Sequence, residues 1–258
     1  MAVNPIRAVL FDMGGTLEDL YYDDAIRQEA TRGLRELLTA RGLDPGLDLP
    51  DLQAAVLAGM KAYQAWREGS EIELPSERVW TEYIFPDHGL PRDRLMVNAE
   101  DLAFFYETRF YVRSLRPEAP ALLGSLHERG FCLAVISNVT SRRVVQHHLK
   151  RYGIEGYFDP VITSAGFGWR KPSARIFLEA ARLMHLPPVA CAYVGDTVSR
   201  DVIGARRARY GLVIQIESFL TGKTDKDTDI GSPDAVINDL RQVVGLVAQG
   251  DEGRESKG

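Results

Sequence analysis

Four short segments of this 258-residue chain end apolar runs in residues suited to handling a charged group. The first, AVLFDMGGTLED, closes in Asp12, with Gly14 and Gly15 just beyond it. A carboxylate there can act as a nucleophile or a metal ligand. The glycines let the backbone turn sharply and aim N–H groups at an anion. The second, CLAVISN, closes in Ser137 and Asn138, whose hydroxyl and amide can donate to a phosphate oxygen. The same pair also serves as a turn or helix cap. The third, GWRKPSARIF, sets Lys171 before Pro172 at a helix start, where an ammonium can neutralise a carboxylate and a phosphate together. The fourth, CAYVGDTVSRD, carries Asp196 behind Gly195, and Asp201 further on. A hard cation such as Mg²⁺ takes oxygen ligands, and Asp12, Asp196 and Asp201 could supply them. Asp201 also suits the positive end of a helix.

These residues need a scaffold that brings them together. Apolar runs at 8–11, 132–136, 160–162, 191–194 and 212–216, with a shorter one at 235–237, do not alternate with polar residues. Such runs suit strands buried on both faces. Helical patterns lie between them at 119–129, 141–152, 173–184 and 199–210, the first two closed by Gly130 and Gly153. The alternation predicts βαβ units and a doubly wound parallel α/β sheet, in which ligands bind at the carboxyl ends of strands. About 120 residues separate the first strand from the second, and helical patterns at 24–41, 51–68, 77–85 and 98–112 fill the gap. We therefore expect a Rossmann-like core from residues 1–18 and 115–248, with a helical domain of residues 19–114 inserted after the first strand. Residues 220–233 read as a polar loop and 249–258 as a charged, disordered tail.

FDMGGT at Asp12, ISN at Ser137, RKP at Lys171 and GDTVSRD at Asp196 and Asp201 together resemble the four motifs of the haloacid dehalogenase (HAD) superfamily. The resemblance covers nearly the whole chain, including GARRARYG at 204–211 and PDAVINDL at 233–240. The insertion is similar to that family's helical (type 1) cap. The resemblance implies a Mg²⁺-dependent phosphohydrolase of a small phosphorylated metabolite, working through an aspartyl-phosphate. Carried over by position, Asp12 is the nucleophile and a metal ligand, and Gly14 offers its backbone carbonyl to the metal. Asp196 and Asp201 complete the metal site. Ser137 and Lys171 stabilise charge on the transferring group, while the N–H groups around Gly14 and Gly15, with Asn138, hold it. The cap closes over the site and excludes water.

One departure stands out. Phosphatases of this family usually carry a second Asp two residues after the nucleophile, which protonates the leaving alcohol and later activates water. Here that residue is Gly14. General acid–base help is worth about 10²- to 10⁴-fold. Several readings stay open. The substrate could be an acyl or aryl phosphate, which needs little protonation. Glu18, Asp19 or Asp23 could replace the acid, although Glu18 and Asp19 read first as exposed. A 2-haloacid dehalogenase dispenses with this acid, but it needs no Mg²⁺ and lacks the acidic fourth motif. A phosphonatase needs a cap lysine, and Lys61 is the only lysine of the insertion. The chain could also be a weak or inactive member that binds a phosphorylated ligand or a protein partner.

Composition narrows the partners. Apolar residues make up 45% and charged residues 26%, an ordinary globular balance. A net charge of −5 gives no basic field for nucleic acid or anionic membrane. No apolar run approaches the roughly 20 residues of a membrane helix, and the N-terminus lacks a signal-peptide pattern, so a cytoplasmic protein is expected. Cys132 and Cys191 read as reduced core residues, and His147 and His148 as residues of a surface helix. Arg142 and Arg143 read as solvated. Most aromatics of the insertion must form its core, with Tyr21 and Tyr22 the best placed to reach a pocket. Both a monomer and a homodimer fit the pattern.

Overall fold

The runs that lack polar alternation become the strands of one buried sheet. The computed structural model describes residues 5–218 and 231–248. In chain order its strands are β1 (Ala8–Phe11), β2 (Glu18–Tyr21), β3 (Val112–Leu115), β4 (Cys132–Ser137), β5 (Phe158–Thr163), β6 (Cys191–Gly195), β7 (Leu212–Ile216) and β8 (Ala235–Ile237). Six of them form a sheet in the order β5-β4-β1-β6-β7-β8, and every pairing is parallel. Phe11 of β1 lies between Val135 of β4 and Val194 of β6. From β1 the chain order runs outward in both directions, so the switch point of the sheet falls at the carboxyl end of β1.

Alternate β1 side chains enter different apolar clusters, as strand geometry requires. Val9 and Phe11 join Leu122, Leu126, Leu149 and Val243, from α5 (Ala119–Glu128), α6 (Val144–Arg151) and the last helix, Gln242–Ala248. Ala8 and Leu10 join Ile176, Phe177 and Ala180 of α7 (Ala174–Leu183), with Ala205 of α8 (Ile203–Arg207). The sheet is thus covered on both faces, the doubly wound arrangement that the sequence implied. Truncating Leu122, Leu126, Leu149 or Ile176 to Ala should cost about 2–5 kcal/mol.

A separate apolar cluster lies among α1 (Asp24–Ala40), α2 (Leu49–Ser70), α3 (Ser76–Arg78), a π-helical turn at Val79–Ile84, and α4 (Arg92–Arg109). Leu34, Leu38, Val56, Tyr63, Trp80 and Leu102 are at its centre. Asp23 caps α1 by accepting from Ile26 N at 2.8 Å, and Asp48 caps α2 by accepting from Asp51 N at 2.9 Å. Gly59 lets α2 press against the π turn, because a Cβ there would sit 2.5 Å from Tyr83 O.

The structure corrects several expectations. The helix expected at 98–112 ends at Arg109, and Val112–Leu115 is instead a strand. It pairs antiparallel with β2, which was not foreseen, and the expected junctions at 18/19 and 114/115 fall inside this ribbon. The helix expected at 199–210 opens as a π-helical turn, Val198–Val202. Cys132 is exposed at the start of its strand, not buried, whereas Cys191 is buried. His148 lies on the buried face of α6, with Val144, Val145 and Leu149, whereas His147 on the same helix is exposed. The expected tail and most of the polar loop lie outside the described residues. Among the described residues no helix is long and apolar enough to cross a membrane.

Candidate active site

The carboxyl ends of β1, β4 and β6 converge on one point. Asp12 directly follows β1, and its Oδ1 accepts from Met13 N at 2.6 Å and lies 2.8 Å from Lys171 Nζ. Lys171 is only 2% exposed, and its ammonium also reaches Asp201 Oδ1 at 2.6 Å and Tyr193 Oη at 3.0 Å. Asn138 fixes the backbone that carries this lysine. Its Oδ1 accepts from Lys171 N at 2.9 Å, and its Nδ2 donates to Lys171 O at 3.0 Å. Asn138 therefore positions Lys171, and it also lines the cleft over Asp12, with one Nδ2 hydrogen not used in these bonds. Asp201 is fixed from its other side, where Oδ2 accepts from Thr197 N at 3.0 Å and Thr197 Oγ1 at 2.6 Å. Asp196 is fully shielded, and its Oδ2 accepts from Ser218 Oγ at 2.7 Å. Ser137 ends β4 and lines the same cleft as Asp12 and Lys171.

The glycine turn explains how three carboxylates come so close. Gly15 has φ +84°, and a Cβ there would lie 2.2 Å from Asp196 Oδ2. Only glycine combines this left-handed backbone with that approach. Its N–H donates to Glu18 O at 2.7 Å, so the turn consumes it instead of offering it to an anion. One oxygen each from Asp12, Asp196 and Asp201 lies within 4.8 Å of the others. Burial pushes the Asp12 carboxyl up, against the pull of Lys171. Burial, then the charges of Asp201 and Asp12, push Asp196 up to about 7. Burial also opposes the charge on Asp201, but Lys171 and Arg200, with hydrogen bonds from Lys171 and Thr197, hold its carboxyl below the ordinary value. Repulsion among buried like charges that also share a lysine is the electrostatic signature of a functional centre more often than of a structural one.

The cleft over Asp12 has a volume of about 200 Å³. Its far wall comes from the helical unit, through Tyr63, Arg67, Tyr106 and Glu107, and from the ribbon, through Leu20 and Arg113. Glu107 Oε1 accepts from both Thr140 N and Thr140 Oγ1 at 2.9 Å, tying α4 to the loop after β4. Arg142 and Arg143, expected to be solvated, pair with Glu77, Glu100 and Asp101 of the helical unit. Being exposed, each such pair contributes at most about 1 kcal/mol.

The three substitute acids are all occupied elsewhere. Glu18 is fully buried, contrary to expectation, and accepts from Arg113 Nη1 and from Tyr152 Oη at 2.9 Å. Asp19 is exposed and pairs with Arg116 Nε at 3.3 Å. Asp23 caps α1 and accepts from the Tyr21 hydroxyl. Tyr21 is 54% exposed and Tyr22 packs edge-on against Tyr111, so the tyrosines that line the cleft are Tyr63, Tyr106 and Tyr111 instead. Lys61 is exposed and does not line the cleft. Arg67, Glu107 and Arg113 were missed because no local motif marks them; they arrive from distant helices and the ribbon. Arg200 lies inside GDTVSRD, and its charge next to Asp201 was a readable signal.

With this geometry in hand, known proteins add context. The family model for haloacid dehalogenase-like hydrolases matches residues 6–209. The chain is 29% identical over 247 residues to a glyceraldehyde 3-phosphate phosphatase of Methanopyrus kandleri, a match that covers 95% of this chain and 98% of the relative. It is 34% identical over 185 residues to a phosphoserine phosphatase of Thermus thermophilus, covering 72% of this chain and 68% of the relative. A solved 2-haloacid dehalogenase from Pseudomonas syringae pv. tomato shares the fold with a TM-score of 0.64, at 24% identity over 95% of this chain and 99% of that one. The matched span contains every residue of the Asp12–Lys171–Asp201 chain and Asp196, and the protein belongs to the haloacid dehalogenase-like hydrolase family.

Proposed function

We propose that the protein is a Mg²⁺-dependent phosphohydrolase of a small phosphorylated metabolite, with Asp12 as its nucleophile. The observation that carries this reading is the buried contact of Asp12 with Lys171, itself locked to Asp201, at the switch point of the sheet. Asp12 Oδ1 is held by two donors, which leaves Oδ2 to attack phosphorus in line. The P–O bond to the leaving group then breaks, and an aspartyl-phosphate remains on Asp12. Water hydrolyses it in a second step, the usual gain of covalent catalysis. Lys171 and Ser137 balance charge on the transferring oxygens. Asn138 and Asp201 act through Lys171, by holding its backbone and its ammonium in place. The phosphatase relatives from Methanopyrus kandleri and Thermus thermophilus support the phosphate-ester class of substrate.

The donor set fits a divalent cation. Three buried carboxylates gather within 4.8 Å, all offer oxygen, and the turn around Gly15 keeps the space beside Asp196 clear of any Cβ. Asp12 and Asp196 would hold it, with the Gly14 carbonyl, while Asp201 supports the site from its bonds to Lys171 and Thr197. Bound there, the cation would supply Lewis-acid neutralisation of the negative charge on nucleophile and phosphate.

A panel of phosphate esters and acyl phosphates, assayed with Mg²⁺ and with a chelator, tests the reading. Turnover should need the metal and should vanish in Asp12→Asn, which keeps the shape of the site. Full activity of Asp12→Asn would refute the nucleophile. Metal-free turnover of a 2-haloacid in place of any phosphate would move the protein to the dehalogenase branch.

A further inference from the structure

The general acid expected two residues beyond Asp12 is absent, but its place is filled. A Cβ on Gly14 would lie 2.8 Å from Cδ1 of Leu20 and 3.5 Å from Nη1 of Arg113. Arg113 is on β3, and its side chain is 8% exposed and lines the cleft over Asp12. Its guanidinium is held in place by acids from two different elements. Nη1 donates to Glu18 Oε1, Nη2 to Glu107 Oε2 at 3.0 Å, and Nε to Glu107 O at 3.2 Å. A guanidinium has five N–H donors. Three are used, so each terminal nitrogen keeps one N–H with no hydrogen-bond partner among the described residues. Burial works against this charge, yet Glu18 and Glu107 more than offset it and keep the group protonated at any working pH.

We propose that Arg113 takes over the leaving-group end of the reaction as a fixed hydrogen-bond donor, in place of the missing acid. The proposal rests on the phosphohydrolase reading above. As Asp12 Oδ2 bonds to phosphorus, the P–O bond to the leaving group breaks and its electron pair passes to the leaving oxygen. That oxygen departs as an anion and accepts a hydrogen bond from Arg113. The arginine keeps all its protons, and the anion takes its proton from water after release. A guanidinium can stabilise an oxyanion but cannot hand over a proton near neutrality. The site then favours substrates whose leaving group is already a stable anion, namely acyl and aryl phosphates, over simple alkyl phosphates.

The test is a leaving-group series on the full chain with Mg²⁺: acetyl phosphate, 4-nitrophenyl phosphate, phenyl phosphate and propyl phosphate. The readout is kcat/KM, which reports only the steps up to leaving-group release and is blind to hydrolysis of the aspartyl-phosphate. Wild type should lose more than about 100-fold from acetyl to propyl phosphate, the lower bound of what a general acid supplies. Arg113→Lys keeps the charge but not the fork. Its loss should grow with leaving-group basicity, from about 3-fold on acetyl phosphate to more than about 10-fold on phenyl phosphate. Equal loss on all four substrates would mark Arg113 as structural and overturn the proposal. So would a wild-type series that is flat. The wild-type series needs no variant, so it decides even if Arg113→Lys fails to fold. If wild type turns over none of the four, nor any other phosphate, the phosphohydrolase reading itself falls and takes this one with it.

Discussion

The three-carboxylate centre makes a prediction about stability as a function of pH, and Asp196 takes part in it. The carboxyl moves from an ordinary 3.8 to about 7, chiefly through burial and then through Asp201 and Asp12. Taking about 1.4 kcal/mol for each tenfold change in proton affinity, the ionised form costs the metal-free fold about 4 kcal/mol at high pH. The folded state binds this proton more tightly than the unfolded chain does. The stabilisation is therefore complete below pH 3.8 and is lost as pH rises through about 7. Between pH 5 and pH 8 that amounts to about 2–3 kcal/mol, a large share of a typical total of about 5–15 kcal/mol. Denaturant titrations in a chelator at the two pH values measure it, with Asp196→Asn as the control that lacks the titration. The wild type should be the more pH-sensitive of the two by that amount. Added Mg²⁺ should reverse the trend, because its ligands must be deprotonated, so its stabilisation should be larger at pH 8 than at pH 5. If Asp196→Asn keeps the wild-type slope, the carboxyl does not carry the shift. If Mg²⁺ stabilises equally at both pH values, Asp196 is not among its ligands.

Three other perturbations follow from the same contacts. Lys171→Met strips the shared cation from Asp12 and Asp201, both buried, and should cost about 3–5 kcal/mol in chelator by chemical denaturation, along with all turnover. Gly15→Ala forces a Cβ to within 2.2 Å of Asp196 Oδ2 at φ +84°. Left-handed strain and overpacking together predict a loss of about 2–5 kcal/mol, read as a lower denaturation midpoint. Gly14→Asp should not create a working acid. The new side chain must displace Leu20 Cδ1, 2.8 Å from its Cβ, and would face the Arg113 guanidinium, which keeps it ionised. Its kcat/KM on propyl phosphate should stay within about tenfold of wild type, well short of the 10²- to 10⁴-fold of a functional general acid.

The parts of this centre that could be read from sequence are those fixed by local backbone. Asp12, Ser137 and Asp196 each sit where an unbroken apolar run stops, and a run buried on both faces has few alternatives to a central parallel strand. Lys171 was readable because Pro172 marks a helix start. The β2–β3 ribbon was not, since Glu18 pairs with Leu115 across 97 positions of chain and neither segment shows the alternation of a strand. Everything that depends on the ribbon was lost with it. Glu18 looked like an exposed acid because a short polar stretch after a glycine turn usually is one. His148 reads as a residue of a surface helix, yet it lies on that helix's buried face, where burial and the charge of Arg113 push it down to about 4, and neither ring nitrogen has a hydrogen-bond partner among the described residues. The cleft's outer wall combines Tyr63 from α2 with Glu107 from α4, two helices whose relative placement depends on packing around Trp80 and Gly59, which pattern alone does not encode.

The ribbon also bears on Gly14, the position where the sequence departs from the family pattern. Gly14 forms an isolated bridge with Glu18, so the turn after Asp12 and the first strand of the ribbon are tied together through backbone. A carboxylate at position 14 would enter the space between Leu20 of β2 and Arg113 of β3. The acidic group and the arginine compete for the same volume and would neutralise each other there. A chain that keeps Arg113 buried between Glu18 and Glu107 therefore has a physical reason to carry glycine at 14. The two features form one choice: a fixed cation at the leaving-group side in exchange for a proton donor. Glu107 extends that choice to the helical unit, because the same carboxylate that holds Arg113 Nη2 also accepts from Thr140 beside Ser137. Moving α4 off the loop after β4 would break the Glu107–Thr140 contacts, whereas Arg113 would keep its bond to Glu18 within the ribbon.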